Sequence, residues 1–262
     1  MTVSPFARLA LAVALAASNS LAFAQAQSAP VYEPSVGQEG KDVVWVPTPQ
    51  ALVDKMLDMA KVTPADFVMD LGSGDGRTVI TAAKRGVRAH GVEYNPDMVE
   101  LSKRNAEKEG VAARATFVKA DLFKTDFSKA TVITMFLLPD INLKLRPKIL
   151  RLKAGTRVVS NSFTMGDWKA DENFTLDSGA CGSSSWCTAH LWIVPARAAG
   201  SYKLPQGDLV LKQSFQKLSG TLRADGKTYA LRGKVIGEDV TFKAGGKEYR
   251  GKLKGKELVL DS

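Results

Sequence analysis

The segment Asp70-Leu-Gly-Ser-Gly-Asp-Gly76 stands where a short apolar run, 67–71, gives way to a helical period over 78–85. Glycines at a strand-to-helix turn let the backbone turn tightly and approach a ligand, and in an open parallel sheet the ligand crevice lies at the carboxyl ends of the strands. A dinucleotide fingerprint would need glycine at position 77, where Arg77 stands, and a P-loop would need Gly-Lys-Ser/Thr, which is missing. Asp70 before the first glycine and Asp75 inside the loop would repel a pyrophosphate and suit a ligand with a cationic end. Glu93 follows Gly72 by 21 residues at the end of a second strand, where a carboxylate can accept both hydroxyls of a ribose. Asp121 follows a third strand and can accept from an adenine amino group. In this order and spacing the acids describe an adenosine with an amino-acid tail and no phosphates.

Alternating elements must position these groups. Strands are expected at 67–71, 88–93, 115–119, 131–137 and 156–160, with helices over 78–85, from the Asn95-Pro96 cap to about 109, and over 141–152. Strands alternating with helices mean right-handed βαβ units and a mostly parallel sheet. Residues 186–194 are expected to add closing edge strands. Ahead of the loop, Leu52, Val53, Met56, Leu57 and Ala60 recur at helical spacing, and Thr48-Pro49 reads as an N-cap hydroxyl followed by a first-turn proline.

These residues resemble a known group. The 70–76 loop, the strand-end Glu93 and the Ala120-Asp121 pair are similar to motifs of class I S-adenosylmethionine-dependent methyltransferases, with their Rossmann-like α/β fold. More narrowly, Val46-Pro-Thr-Pro49, Asp70-Leu-Gly-Ser-Gly-Asp-Gly-Arg77, Ala120-Asp-Leu-Phe123, Phe136-Leu-Leu-Pro139 with Asn142-Leu-Lys-Leu-Arg-Pro147, Gly155-Thr-Arg-Val-Val-Ser160 and Met165-Gly-Asp-Trp168 resemble small lysine methyltransferases of the FAM173 type, over about residues 43–196. The resemblance implies S-adenosyl-L-methionine as cofactor. It has Asp70, Gly72, Ser73 and Gly74 bounding the methionine end, Glu93 holding the ribose, Asp121 facing the adenine, and Thr48 in a segment that closes over the cofactor. The Asn-Pro-Pro-Tyr box of amide and adenine methyltransferases is missing after the fourth strand, where Leu137-Leu-Pro-Asp140 stands, which argues against nucleic-acid bases and glutamine amides as acceptors; the FAM173 resemblance implies a protein side chain, lysine before others.

Methyl transfer from a sulfonium is an in-line displacement, so alignment and exclusion of water are the main tasks. An ammonium acceptor must also lose its proton, to a carboxylate or in a desolvated pocket. The catalytic candidates are Asp140 and Asn142 after the fourth strand and Asn161 after the fifth, with Ser162 and Asp167 near them. Asn142 reads equally as a helix N-terminal capping residue. Trp168 reads as core or lid and His190 as a structural residue of an edge strand.

The chain has 262 residues, 45% apolar and 24% charged, enough for a substantial core. Its charge of +9 is uneven, because residues 200–262 hold 13 basic and 7 acidic side chains. That quarter lacks a helical period, has turns at Asp225-Gly226 and Gly245-Gly246, and repeats Gly233–Phe242 as Gly251–Leu260 at a period of 18. It reads as a small all-β meander domain whose lysines discourage edge pairing or contact an anionic surface. Sparse aromatics there argue against nucleic acid.

At the other end, Arg8, the apolar run 9–17 and Ala22-Phe23-Ala24 have the form of a secretory signal, expected at 1–24, with an uncleaved membrane anchor as the alternative. An extended arm over 25–42, a methyltransferase domain over 43–199 and the β domain over 200–262 complete the expected layout. Export to the periplasm or medium, with Cys181 and Cys187 closely spaced, favours one local disulfide. Zinc is not expected, since two cysteines and His190 fall short of four ligands. Because the donor is made in the cytoplasm, two other readings stand beside the enzyme: a binding module that kept the nucleoside pocket without turnover, and an envelope protein acting through its β domain.

Overall fold

The computed structural model describes Tyr32–Asp261. The signal expected at 1–24, and the arm before Tyr32, lie outside the described residues.

Helix α1 (Gln50–Met59) precedes β1 (Phe67–Leu71), α2 (Arg77–Lys84), β2 (Arg88–Glu93), α3 (Pro96–Lys108), β3 (Ala115–Lys119), β4 (Val132–Met135), α4 (Pro139–Ile149), β5 (Arg157–Asn161), β6 (Glu172–Thr175), the short α5 (Ser178–Cys181) and β7 (Thr188–Ile193). The strands form one sheet in the order β3-β2-β1-β4-β5-β7-β6. β1 to β5 run parallel, while β7 is antiparallel to β5 and β6 to β7. β1 and β4 are buried along nearly their whole length, as strands covered on both faces must be, and so read as unbroken apolar runs. They are also neighbours at the point where strand order reverses, which opens a crevice at their carboxyl ends.

Several boundaries differ from the sequence expectation. β4 ends at Met135, Phe136-Leu137-Leu138 leave the sheet, and Leu138 is extended because Pro139 opens α4. α4 therefore starts two residues early, and it ends at Ile149. β6 is absent from the expected strands because Glu-Asn-Phe-Thr, an exposed edge strand, has no apolar alternation. β7 begins at Thr188, leaving Trp186 in the preceding loop. The N-cap of α1 is Pro49 without a side-chain cap; Thr48 Oγ1 instead accepts from Asn161 Nδ2 at 3.3 Å.

Seven antiparallel strands follow as a meander in sequential order: β8 (Gly200–Leu204), β9 (Gly207–Ser214), β10 (Lys217–Ala224), β11 (Lys227–Ile236), β12 (Asp239–Ala244), β13 (Lys247–Lys254) and β14 (Glu257–Leu260). Two residues make each turn, with positive φ at both Asp225 and Gly226 and at both Gly245 and Gly246, as tight hairpins require. Alternating Leu209, Leu211, Leu218, Leu222, Leu231, Val235, Val240 and Phe242 fill one face. The meander is tied to the first sheet: Phe215 stacks on Trp168 at 6.1 Å, Gln216 Nε2 donates to the Lys169 carbonyl at 2.6 Å, and the Ala196 amide donates to the Gly237 carbonyl at 2.7 Å. Trp168 is a fully buried core residue between the sheets.

Candidate cofactor and acceptor site

At the carboxyl ends of β1, β2 and β4 lies a cavity of about 550 Å³, the size of an ordinary small-molecule site. Its floor is the loop after β1. The amides of Gly72 and Ser73 donate to the Val92 carbonyl at 2.8 and 3.1 Å, and the Gly76 amide donates to the Ser73 carbonyl at 2.9 Å. Gly72 and Gly74 take φ of +79° and +53°, and a Cβ on Gly74 would stand 2.7 Å from Trp45 Nε1. The loop is thus a cradle that a side chain would fill.

Each expected cofactor-side residue faces this cavity: Thr48 and Asp70, the loop residues Gly72, Ser73 and Gly74, and the outer acids Glu93 and Asp121. Glu93 already holds the loop, since its Oε2 accepts from the Gly74 amide at 2.9 Å and its Oε1 from the Tyr94 and Asn95 amides at 2.8 and 2.9 Å. With Oε1 committed to two donors, Oε2 is the freer oxygen, so Glu93 is a brace as well as a candidate ribose acceptor rather than a carboxylate with both oxygens open. Ser73 presents backbone more than hydroxyl: its Oγ is buried against Gly91, where a Cβ would come within 2.5 Å. Asp75 is spent on Arg77, whose guanidinium pairs with it at 2.6 Å and reaches the Thr48 carbonyl at 2.9 Å. The arginine that breaks the dinucleotide spacing therefore locks the loop to the segment before α1.

Asp70 is buried and accepts from Thr134 Oγ1 at 2.6 Å. Burial pushes its pKa up to about 7, with Glu93 and Asp75 adding to the rise. At Asp121, by contrast, the Phe123 amide at 2.9 Å, and then Lys41 at 3.5 Å, hold the carboxyl below its ordinary value.

The segment 38–48 covers the cavity, as the resemblance implies for the part around Thr48, and extends that cover back into the arm expected over 25–42. It is ordered from further back, where the Gly37 amide donates to the Trp45 carbonyl and the Trp45 amide to the Gln38 carbonyl, at 2.8 and 2.9 Å. Lys41 lies over the rings of Tyr94 and Phe123. Lys41 in a polar stretch and Trp45 in the short apolar run Val43–Val46 carry no sequence signal that places them over this cavity.

The acceptor-side candidates fall elsewhere. None of Asp140, Asn142 or Asn161 lines the cavity. Asp140 is exposed in the first turn of α4. Asn142 is wholly buried and donates to the carbonyls of Phe163 and Thr164, so it neither caps the helix nor meets an acceptor; it fixes the loop after β5. Asn161, also fully buried, ties β5 to Thr48. Ser162 Oγ donates to Asn161 Oδ1, and Asp167 pairs with Arg146. His190 is bound between Asn173 and Ser162, as a structural residue is. What lines the β4 end instead is apolar: Phe136, Leu137, Leu138, Phe163 and Trp186. Cys181 and Cys187 are bonded and close the loop that carries Trp186.

A sheet in this order, a glycine cradle at the reversal of strand order, and acids instead of cations around it define a class I methyltransferase that uses S-adenosylmethionine. Residues 70–172 match the ANTKMT methyltransferase domain. Among curated proteins the chain is 47% identical over 140 residues to a protein-lysine N-methyltransferase of Saccharolobus islandicus, covering 52% of this chain and 87% of that one. To the adenine nucleotide translocase lysine N-methyltransferase of Mus musculus it is 35% identical over 119 residues, 45% of this chain, and it spans only 52% of that enzyme. A solved structure from Salinibacter ruber, described as an RNA methyltransferase in complex with S-adenosyl-L-homocysteine, is 44% identical with a TM-score of 0.54, over 58% of this chain and 95% of that one. The chain belongs to the methyltransferase family of the Saccharolobus protein.

With its pKa raised by burial, Asp70 should make cofactor binding proton-linked. Its folded value, about 7, lies above the unfolded value near 4, so the stability it contributes is whole below about pH 4 and is lost as pH rises through about 7. A cationic amino-acid tail beside Asp70 favours the carboxylate and expels that proton. Calorimetric titration with S-adenosylhomocysteine at about pH 6, in buffers of different ionisation enthalpy, should show release of close to one proton, and Asp70→Asn should remove it. Equal proton counts in the two proteins would contradict this assignment.

Proposed function

We propose that this chain transfers the methyl group of S-adenosylmethionine to a lysine side chain of a protein. The carrying observation is the division of one cavity along the strand order: acids and glycine loop over β2 and β1, apolar aromatic walls over β4 and β5. S-adenosylmethionine supplies a methyl group activated on a sulfonium. Gly72, Ser73 and Gly74 approach the amino-acid tail with backbone, Asp70 offers it a carboxylate, Glu93 accepts from the ribose, Asp121 faces the adenine, and Thr48 with Trp45 closes the cover. The described residues that line the β4 end include no carboxylate, so the acceptor's proton passes to solvent before transfer, and the positive charge then moves from the sulfonium to the acceptor nitrogen beside these walls. Val44, Tyr94, Leu138 and Trp186, all large apolar side chains that remain exposed, rim the opening as a docking surface for a protein acceptor would.

The Salinibacter neighbour raises RNA as a second acceptor class. The apolar β4 end disfavours it here, because its lining side chains offer no amide to hydrogen-bond a base edge. Labelled-methyl transfer to a protein extract and to total RNA, followed by mass spectrometry of the modified residue, tests the reading. Label on lysine supports it; label confined to RNA overturns it.

Export belongs to the same proposal. The apolar run 9–17, the Ala22-Phe23-Ala24 site and the Cys181–Cys187 bond support an oxidising compartment, periplasmic or external. A native N-terminus at Gln25 or Gln27 in the exported fraction is the expected result, and an intact cytoplasmic chain the contrary one. For the meander we propose contact with an anionic surface. Lys217 lies directly opposite Lys234 and Arg232 opposite Lys243, of which, among the described residues, only Lys243 forms an ion pair, with Glu248 at 3.8 Å, and like charges so placed cost stability unless a partner neutralises them.

A further inference from the structure

We infer that Phe136, Phe163 and Trp186 form the subsite for the cationic end of the acceptor side chain, and that the Cys181–Cys187 loop exists to present Trp186 there; this rests on the lysine reading above. The three rings come from distant places: Phe136 directly after β4, Phe163 just after β5, and Trp186 from the disulfide-closed loop before β7. Phe163 lies 6.0 Å from Phe136 and 5.1 Å from Trp186, and Phe136 lies 6.3 Å from Trp186, so they make one contiguous aromatic wall. All three line the cavity.

Two facts separate this wall from ordinary core. Trp186 keeps 39% of its surface exposed, whereas the core tryptophans Trp168 and Trp192 are fully buried. Cations also stack on rings elsewhere in the molecule, including Lys41 on Tyr94 and Arg146 on Phe215, yet among the described residues none stacks on these three. A ring face without a resident cation, in a partly desolvated cavity, attracts an ammonium electrostatically, and an indole does so best.

Position supports the same assignment. β4 pairs with β1, in register from Leu71 to Met135, so Phe136 follows the strand end beside Gly72. Glu93 and Asp121 stand on the far side of β1, after β2 and β3. The wall therefore occupies the end of the cavity that the nucleoside acids leave free. The loop is held by the Cys181–Cys187 bond, with α5 capped by Asp177 Oδ1 accepting from the Ala180 amide at 2.8 Å, and by the Ser184 hydroxyl accepting from the Trp186 amide at 3.1 Å. A six-residue span so braced gives the indole a fixed place without burying it.

The test uses the full chain saturated with S-adenosylhomocysteine and two probes: Nα-acetyl-trimethyllysine methylamide and its uncharged carbon isostere. The charged probe should bind at least about 10-fold better than the isostere, a preference that Trp186→Ala removes and Trp186→Phe largely retains. S-adenosylhomocysteine affinity should not change in Trp186→Ala. The double variant Cys181→Ser/Cys187→Ser should lose the preference to the same extent, with no further loss when combined with Trp186→Ala. Equal binding of the two probes, or a preference that survives Trp186→Ala, overturns the subsite. In the methyl-transfer assay Trp186→Ala should raise KM for a lysine-bearing acceptor while kcat changes little. Lysine methylation by the wild type with an unaffected variant refutes the wall alone; absence of label on any lysine refutes the reading beneath it.

Discussion

Gly74→Val should cost at least about 100-fold in affinity for S-adenosylmethionine and S-adenosylhomocysteine while leaving the fold intact. Gly74 has φ +53°, a left-handed conformation that costs an L-residue about 1–2 kcal/mol and a β-branched one more. The same Cβ would fall 2.7 Å from Trp45 Nε1, so either the loop retreats from the cavity or the cover lifts. The Gly74 amide also donates to Glu93 and its carbonyl accepts from Ser102 Oγ, so the loop cannot move without loosening the brace on Glu93. Calorimetry gives the affinity and circular dichroism the fold. Gly110→Ala is the control: φ is +69° there, but no atom lies within 4 Å of the added Cβ, so strain should lower stability without touching affinity. A Gly74→Val protein that binds as the wild type does would refute the cradle.

The second large effect is on stability. Trp168→Ala should destabilise the protein by about 3–5 kcal/mol, the usual cost of truncating a buried aromatic. Trp168 is fully buried, 6.2 Å from Trp192 and stacked on Phe215 of the meander at 6.1 Å. Its loss opens a cavity where the two sheets meet, and against a typical total of about 5–15 kcal/mol that is a large share. Guanidinium unfolding should show a lower midpoint, with Trp168→Phe intermediate. Cofactor affinity should persist below the transition, because Trp168 does not line the cofactor cavity. A loss under about 1 kcal/mol would mean the sheets do not depend on this contact.

Much of the first sheet is legible in the sequence because its signals are local. Three strands, Phe67–Leu71, Arg88–Glu93 and Ala115–Lys119, coincide with their expected bounds. Each is a short segment bounded by glycine, a cap or a turn, and the Asn95-Pro96 cap places α3, with Asn95 Oδ1 accepting from the Asp97 amide at 2.9 Å. The seven cofactor-side candidates line one cavity; six of them sit at a strand end or in a loop whose place in a βαβ unit is set by the period change before it, while Thr48, ahead of the first strand, is implied by the resemblance alone. The acceptor end is not legible in this way. Asp140, Asn142 and Asn161 are polar residues near the right strand ends, but folding turns Asp140 to solvent and spends the two amides on backbone carbonyls and Thr48.

The alternation of strands and helices, the glycine loop with its acids and the hairpin turns of residues 200–262 can be read from the chain alone, and the close cysteines favour their bond, because all of these rest on local patterns of residue type. Folding in three dimensions adds that Lys41 and Trp45 cover the cavity, that Arg77 locks the loop, that Phe215 seats on Trp168, and that Phe136, Phe163 and Trp186 share a wall. Those contacts join segments whose separation along the chain carries no periodic signal, and they form because burying apolar rings at the crevice and between the sheets favours one packing over the others.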